Sequence, residues 1–234
     1  MSGNPPTIGI VTALEMERGW IGPTNGRCLV EVGGMGRDRA EAATKRLLDR
    51  GAKAVVSWGI AGGLDPDLEP GTVVVPECVI DADRGQWHAD SGWRDRLLAE
   101  IGDLVPISRG QMFHADEVVA SPERKHHLHE RWNVAAVDME SAGIARVAQG
   151  AGAAFLVIRV VGDVADQVLP KAVTKLSDEH GRLRAGAVAG LVFRPRLWST
   201  LLALGRANVA AGQSMRRVWA AAGPDLALVE DRNL

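Results

Sequence analysis

Two apolar runs in this chain each lead to a carboxylate. Val134–Val137 is followed at once by D-M-E-S, which places Glu140 just beyond the run, and Phe155–Val161 is followed by Gly162 and Asp163. A run this continuous, without polar alternation, suits a strand of a parallel sheet covered on both faces. Such a sheet needs helices on either side, so the chain is constrained to a layered α/β arrangement. In open sheets of that kind ligands sit beyond the carboxyl ends of the strands. Two acids delivered there imply a site that handles hydroxyl groups and protons.

The rest of the chain alternates in the same sense. Strands are expected at Thr7–Val11, Cys28–Val32, Ala54–Trp58, Thr72–Val75, Cys78–Ile80, Val134–Val137 and Ala154–Val161. Helices are expected over about 38–50, 92–101, 122–132 and 141–149, the third with Ser121 as N-cap and Pro122 in the first turn. No linker or repeat divides the 234 residues, so one domain spanning 1–234 is expected, with an α/β sheet flanked by helices. A hydrophobic fraction of 46% and a net charge of -2 fit a globular protein without general attraction to nucleic acid. Cys28 and Cys78 have no metal-site spacing, and a reduced, cytoplasmic setting follows by default. The opening Met-Ser-Gly-Asn-Pro-Pro lacks the features of a signal peptide, and no uncharged run approaches the ~18 residues of a spanning helix.

Two glycine clusters follow strands, Gly33–Gly36 and Gly59–Gly63. They read either as tight strand-to-helix turns or as places where backbone amides approach an anion or a sugar. Neither is a Walker A loop or a dinucleotide fingerprint. A third acid, Glu17, follows the first strand in I-G-I-V-T-A-L-E-M-E. Taken singly, Glu17 reads as a solvated carboxylate, Glu140 as a helix-start acid and Asp163 as a turn or cap residue. The three histidines 126, 127 and 129 lie in a charged segment, Glu123–Arg131, that reads as a surface helix, and no metal site is expected there. His114 reads equally as a pocket or a structural residue.

Taken together, these pieces resemble the nucleoside phosphorylase and nucleosidase superfamily from Thr7 to about Ala172. The likeness is strongest to 5'-methylthioadenosine/S-adenosylhomocysteine nucleosidases and to hopanoid-associated phosphorylases. I-G-I-V-T-A-L-E-M-E resembles the family's opening strand and water-activating glutamate, which falls on Glu17. V-G-G-M-G, with Gly34, and W-G-I-A-G-G-L, with Gly59, Ile60, Ala61 and Gly62, resemble its two glycine loops beside the nucleophile or anion. A-V-D-M-E-S resembles the ribose-binding pair, here Met139 and Glu140. V-V-G-D-V-A-D places the base-protonating aspartate at Asp163. A-D-E-V-V-A-S matches the strand that contacts the base, with Val118 where relatives carry a stacking aromatic and Val119 beside it.

The resemblance implies a three-layer nucleoside phosphorylase-type fold with a central mixed, twisted sheet. It implies cleavage of a purine N-ribosidic bond, with no metal or organic cofactor, in a protein that forms a homodimer. The transition state resembles an oxocarbenium ion, and an acid such as Asp163 relieves charge on the departing purine if burial raises its pKa. Glu140 would orient the ribose, Met139 would pack on it, and Glu17 would activate water. Phosphorolysis needs a closed anion site instead. Ile60 stands where related phosphorylases place a serine, Ser57 lies near the position where some carry an arginine, and Arg37 and Arg39 offer either an anion site or solvated charge. Glu17 together with Ile60 favours hydrolysis, with a phosphate-dependent phosphorylase as the alternative. Further alternatives are a methylthioadenosine/S-adenosylhomocysteine nucleosidase and a nucleoside-binding module without turnover.

Beyond Asp163 the run V-A-D-Q-V-L-P-K-A-V and the later F-R-P-R-L-W-S-T-L-L-A-L-G-R-A resemble the hopanoid-associated branch. That implies adenosylhopane as favoured substrate, giving adenine and ribosylhopane, and in any case a nucleoside with an apolar 5' group. The segment of about 185–222 reads as a basic amphipathic helix starting at Arg194-Pro195. Leu197, Leu201, Leu204, Met215 and Trp219 fall on one face, Trp198 and Leu202 at its edge, and Arg196, Ser199, Arg206, Gln213 and Arg217 on the other. This helix reads either as core-packed or as a peripheral contact with the inner membrane face. Gly205 and Gly212 weaken it and leave room for a break.

Overall fold

The structure, a computed structural model, describes residues 7–169 and 198–228. Ten strands form one mixed sheet, and six helices are described around it. The elements run β1 (Ile8–Thr12), α1 (Glu15–Arg18), β2 (Cys28–Val32), α2 (Arg37–Asp49), β3 (Ala54–Gly63), β4 (Val73–Val74), β5 (Cys78–Ile80) and β6 (Gln86–His88). They continue with α3 (Ser91–Ile101), β7 (Ile107–Ser108), β8 (Gln111–His114), α4 (Pro122–Trp132), β9 (Val134–Asp138), α5 (Ser141–Gly150), β10 (Ala154–Asp163) and α6 (Trp198–Ala222).

β3 and β10 are the axis of the sheet. They pair in parallel from Ala54↔Ala154 onward, and β3 also pairs with β1 along its first half and with β9, antiparallel, at Gly62 and Gly63. Both strands are buried on two faces, as their apolar runs require. Val56, Trp58, Leu156, Ile158 and Val160 point into a core closed by α3 and α6. Val55, Ala61, Phe155, Val157 and Val161 point into a second core closed by α2 and α5. The period of two thus splits each run between two helical layers.

Most expected elements stand within a residue or two of their predicted bounds, and α4 has its predicted N-cap, the Ser121 side chain accepting the Arg124 amide. Four readings need correction. The cluster Gly59–Gly63 is not a turn after a strand: β3 runs through it, because the parallel neighbour β10 is long enough to keep pairing. The segment Ala115–Ser121 is not a strand; β8 ends at His114 and an irregular loop leads to α4. α4 is not wholly a surface helix, since Lys125 is fully buried. The last helix does not break at its glycines: α6 is continuous, with Gly212 packed against the Trp20 indole, where a larger residue would not fit.

The apolar face of α6 is set by Ala207, Ala211, Met215, Val218 and Trp219, whose ring meets Trp58 edge-on at 6.1 Å. Leu202, placed by sequence at the edge of that face, is exposed. The expectations for residues 185–197, including the proline-started first turn, lie outside the described residues, as does most of the hopanoid-like run after Leu169.

Candidate active site

β1 carries Glu17 to the carboxyl edge of the sheet. The strand stops at Thr12, and the single turn of α1 folds back so that the Glu17 carboxylate lies under the backbone. Its Oε2 accepts the amides of Ala13 at 2.8 Å and Leu14 at 2.9 Å, and its Oε1 accepts the amide of Ile60 at 2.9 Å. The side chain is buried, not the solvated first-turn acid that its local sequence suggests. Burial raises its pKa, against the pull of Arg159 and the three amides. A side chain at Gly59 would collide with this carboxylate and with the Arg159 guanidinium, so the strand must be bare there.

Arg159 is the centre of the site and was not anticipated from sequence. It interrupts the apolar run of β10, and that interruption is the signal that could have found it. Its guanidinium lies 3.0 Å from Asp138 and 3.3 Å from Glu140, and it donates to Ser57 Oγ at 2.8 Å and to the Ile60 carbonyl at 3.1 Å. Ser141 hydrogen-bonds both Ser57 and Asp138. Ser57, near the position where some phosphorylases carry arginine, is therefore a buried strut for an arginine supplied by the neighbouring strand. Three carboxylates, Glu17, Asp138 and Glu140, share this one guanidinium. Burial pushes Glu140 up to about 7, eased by Arg159 and the Gly36 amide but aggravated by Asp138 and Glu17. Asp138 is also penalised by burial, yet Arg159, His114 and Ser141 together hold it below the usual range. Glu140 begins α5 but does not cap it; its Oε1 accepts the Gly36 amide at 2.9 Å.

β10 ends at Asp163. The register with β3 slips between Val161 and Asp163, so that Asp163 stands opposite Gly62. A bulge of this kind re-aims a side chain at a strand end. Burial raises the Asp163 pKa, opposed by Lys125 of α4, whose ammonium group donates to the carboxylate. Lys125 also escaped the sequence reading, since its neighbours on α4 are charged and give no hint of burial.

These groups enclose a cavity of about 190 Å³. Glu17, Glu140 and Asp163 all line it, together with Met139, Val118, Val119, Ile60, Ala61 and Gly62. Leu14, Met35 and Leu169 complete an apolar wall. Val119 is buried and Val118 is partly exposed at the rim. Gly34 and Gly59 do not line the cavity: Gly59 backs the Glu17 carboxylate, and Gly34 precedes Met35 in the turn before α2. Arg37 is not at this cavity. It pairs with Asp81 at 3.2 Å and donates to His114 at 3.0 Å, facing a separate polar cavity of about 460 Å³. His114 stands between the two, its Nδ1 3.9 Å from Asp138. Among the described residues no group of three or more His, Cys, Asp or Glu is placed to hold a metal ion.

Relatives carry a similar frame. The model of the phosphorylase superfamily matches residues 11–194. A 5'-methylthioadenosine/S-adenosylhomocysteine nucleosidase of Thermotoga maritima is 27% identical over 174 residues, covering 71% of this chain and 79% of that protein. Its namesake from Bacillus pumilus is 27% identical over 173 residues, covering 62% of this chain and 75% of the relative. Among solved structures, the Helicobacter pylori 5'-methylthioadenosine/S-adenosylhomocysteine nucleosidase with butyl-thio-DADMe-Immucillin-A superposes with a TM-score of 0.67 at 19% identity, covering 92% of this chain and 98% of that one. The futalosine hydrolase of the same organism gives 0.67 at 18% identity, covering 92% and 97%. The structural likeness establishes a nucleoside phosphorylase-type fold, and, with a family model matched across most of its length, the chain belongs to the phosphorylase superfamily.

Proposed function

We propose that this protein is an N-ribosyl hydrolase that cleaves an adenine nucleoside bearing an apolar 5' group, with adenosylhopane, yielding adenine and ribosylhopane, as the favoured substrate. The observation that carries hydrolysis over phosphorolysis is the seat of Glu17. The amides of Ala13, Leu14 and Ile60, which would otherwise grip an anion, are spent on its carboxylate. A phosphate brought there would meet a buried negative charge, whereas a water molecule would meet a base. Arg37, one of the two candidate anion ligands from sequence beside Arg39, is engaged elsewhere.

In this reading Glu140 accepts hydrogen bonds from the ribose hydroxyls and Met139 packs on the sugar. Arg159 holds Glu140 and, through the Ile60 carbonyl, the strand that bears on Glu17. The purine lies between Ala61, Gly62 and Val119, with a nitrogen facing Asp163. As the C–N bond lengthens, its electron pair goes to the purine and the Asp163 proton follows it. Water adds to the anomeric carbon and gives its proton to Glu17. Fixed placement of sugar, water and acid supplies much of the acceleration. The apolar wall of Leu14, Met35 and Leu169 suits a hydrocarbon at the 5' position. The reading includes a homodimer and contact between α6 and anionic lipid.

The test is adenine release from adenosylhopane and from methylthioadenosine, in buffer with and without phosphate. The expected result is release from adenosylhopane that phosphate does not change, a free ribosyl product, and loss of release in Asp163→Asn. A sugar 1-phosphate product overturns the hydrolytic reading, and preference for methylthioadenosine overturns the assignment of the 5' group.

A further inference from the structure

Lys125 is a lysine shut off from the protein surface. It is fully buried on α4, and its three ammonium hydrogens have three acceptors: the Asp163 carboxylate, the Val164 carbonyl at 2.6 Å and the Gln167 carbonyl at 3.4 Å. A buried lysine is costly unless each donor is satisfied and the charge is matched. Here the donors are satisfied, and the charge is matched once Asp163, which lines the cavity, has given up its proton. The ammonium group engages Oδ2 of Asp163. Among the described residues nothing donates to Oδ1 of Asp163, and Asp163 is one of the residues that line the cavity.

The same lysine joins two segments of the cavity wall. α4 follows the loop that bears Val118 and Val119, and the carbonyls it grips belong to the loop from Val164 to Leu169. Those loops are also tied by the Leu169 amide on the Ala120 carbonyl at 2.9 Å.

We propose that Lys125 is the positioning residue for the acid: it fixes Asp163 through Oδ2, leaves Oδ1 to address the leaving base, and provides the countercharge for the carboxylate formed when the proton departs. The inference rests on the hydrolytic reading above. The proton passes from Asp163 Oδ1 to a ring nitrogen of the purine, the C–N electron pair goes to the base, and the new carboxylate remains paired with the Lys125 ammonium. The other charged groups around the pair face the cavity or have partners of their own. Glu17, Glu117, Asp138 and Glu140 line the same cavity, Arg159 is bound to Asp138 and Glu140, and on the outer side His126 pairs with Asp166 at 3.1 Å.

The test compares the wild type with Lys125→Gln, which removes the charge, and Lys125→Arg, which keeps it, on two substrates. One is an adenine nucleoside that the wild type cleaves. The other is 4-nitrophenyl riboside, whose leaving group needs no proton. An acid must hold its proton to act, so activity falls as pH rises through its pKa. Without the countercharge Asp163 keeps its proton longer, and the alkaline limb of kcat moves up by roughly 1–3 pH units in Lys125→Gln. Lys125→Arg keeps the wild-type limb. Plateau kcat on the adenine nucleoside falls about tenfold or more in Lys125→Gln, whereas 4-nitrophenyl riboside is cleaved at near wild-type rate. An unmoved limb, an equal loss on both substrates, or the same shift in Lys125→Arg overturns the proposal. If the wild type cleaves neither substrate, the hydrolytic reading itself has failed.

Discussion

Glu17 Oε1 accepts the amide hydrogen of Ile60 at 2.9 Å, so the acid that follows the first strand is fastened to the glycine cluster of the third. The two residues are far apart in sequence, and the bond decides what the cluster can hold. With Ala13 and Leu14 it forms a nest of amides filled by the chain's own carboxylate.

Emptying that nest is the first prediction. In the hydrolytic reading Glu17→Ala removes the base, and it leaves three amides with room for a small anion. Hydrolysis is expected to fall roughly 10²–10⁴-fold, the usual range for a positioned base. Added formate is expected to restore part of it by taking the carboxylate's place. Adenine release measured against formate concentration checks this; a variant that loses little activity, or a loss that formate leaves untouched, sinks it.

The second prediction concerns pH. Glu140 is raised from 4.5 to about 7 in the folded protein, so folding binds a proton at this site. Its contribution to stability is fully present below 4.5 and is lost as pH rises through about 7. Glu17 and Asp163, also raised, act in the same direction. Asp138 is lowered from 3.8 and acts oppositely, contributing above that value and losing its contribution as pH falls through its depressed pKa. The melting temperature is therefore expected to decline across the window from 4.5 to about 7, and Glu140→Gln is expected to flatten the decline. Parallel curves for wild type and variant would contradict the assignment.

What the sequence made legible was whatever the two buried strands impose. Val134–Val137 and Phe155–Val161 could only be strands covered on both sides, and the acids beyond them could only reach one edge. The extent of β3 was not legible, because glycines after Trp58 look like an ending unless the long partner β10 is known. β8 and the loop after it were misplaced for a similar reason: Gln111–His114 is too short and too mixed to declare itself, and its pairing with β9 is tertiary. Lys125 and Arg159 were lost because a charged residue is ordinarily read as solvated. Only the partner across the fold, Asp163 for one and Asp138 with Glu140 for the other, makes either of them a core residue.

Gly59 gives a third prediction. Its backbone faces Glu17 and Arg159 so closely that a methyl group has no place. Gly59→Ala must displace one charged group or bend β3, and loss of stability of about 1–3 kcal/mol is expected from overpacking. Activity should fall further than the folded fraction does, because in the hydrolytic reading the displaced groups are Glu17, which activates the water, and Arg159, which holds Glu140. Denaturant melts and kcat measured on the folded fraction check this. A variant with wild-type kcat would show that the collision is relieved without moving either group.

The last prediction separates the two faces of α6. The inner face is closed around Trp20, with Gly212 against its indole and Trp219 against Trp58. Gly212→Val is expected to destabilise the fold by about 1–3 kcal/mol through overpacking. On the outer face Leu202 and Val209 are 64% and 58% exposed and lie two turns apart, with Arg206 between them. An exposed apolar pair flanked by arginine suits the boundary of an anionic lipid surface. The double substitution Leu202→Ser and Val209→Ser is expected to leave the stability within about 0.5 kcal/mol of wild type, as surface changes do. It is expected to reduce co-sedimentation with phosphatidylglycerol vesicles several-fold while cleavage of a water-soluble nucleoside is unchanged. Vesicle binding that survives both serines would assign Leu202 and Val209 no part in lipid contact, and would remove the apolar half of the argument for this face.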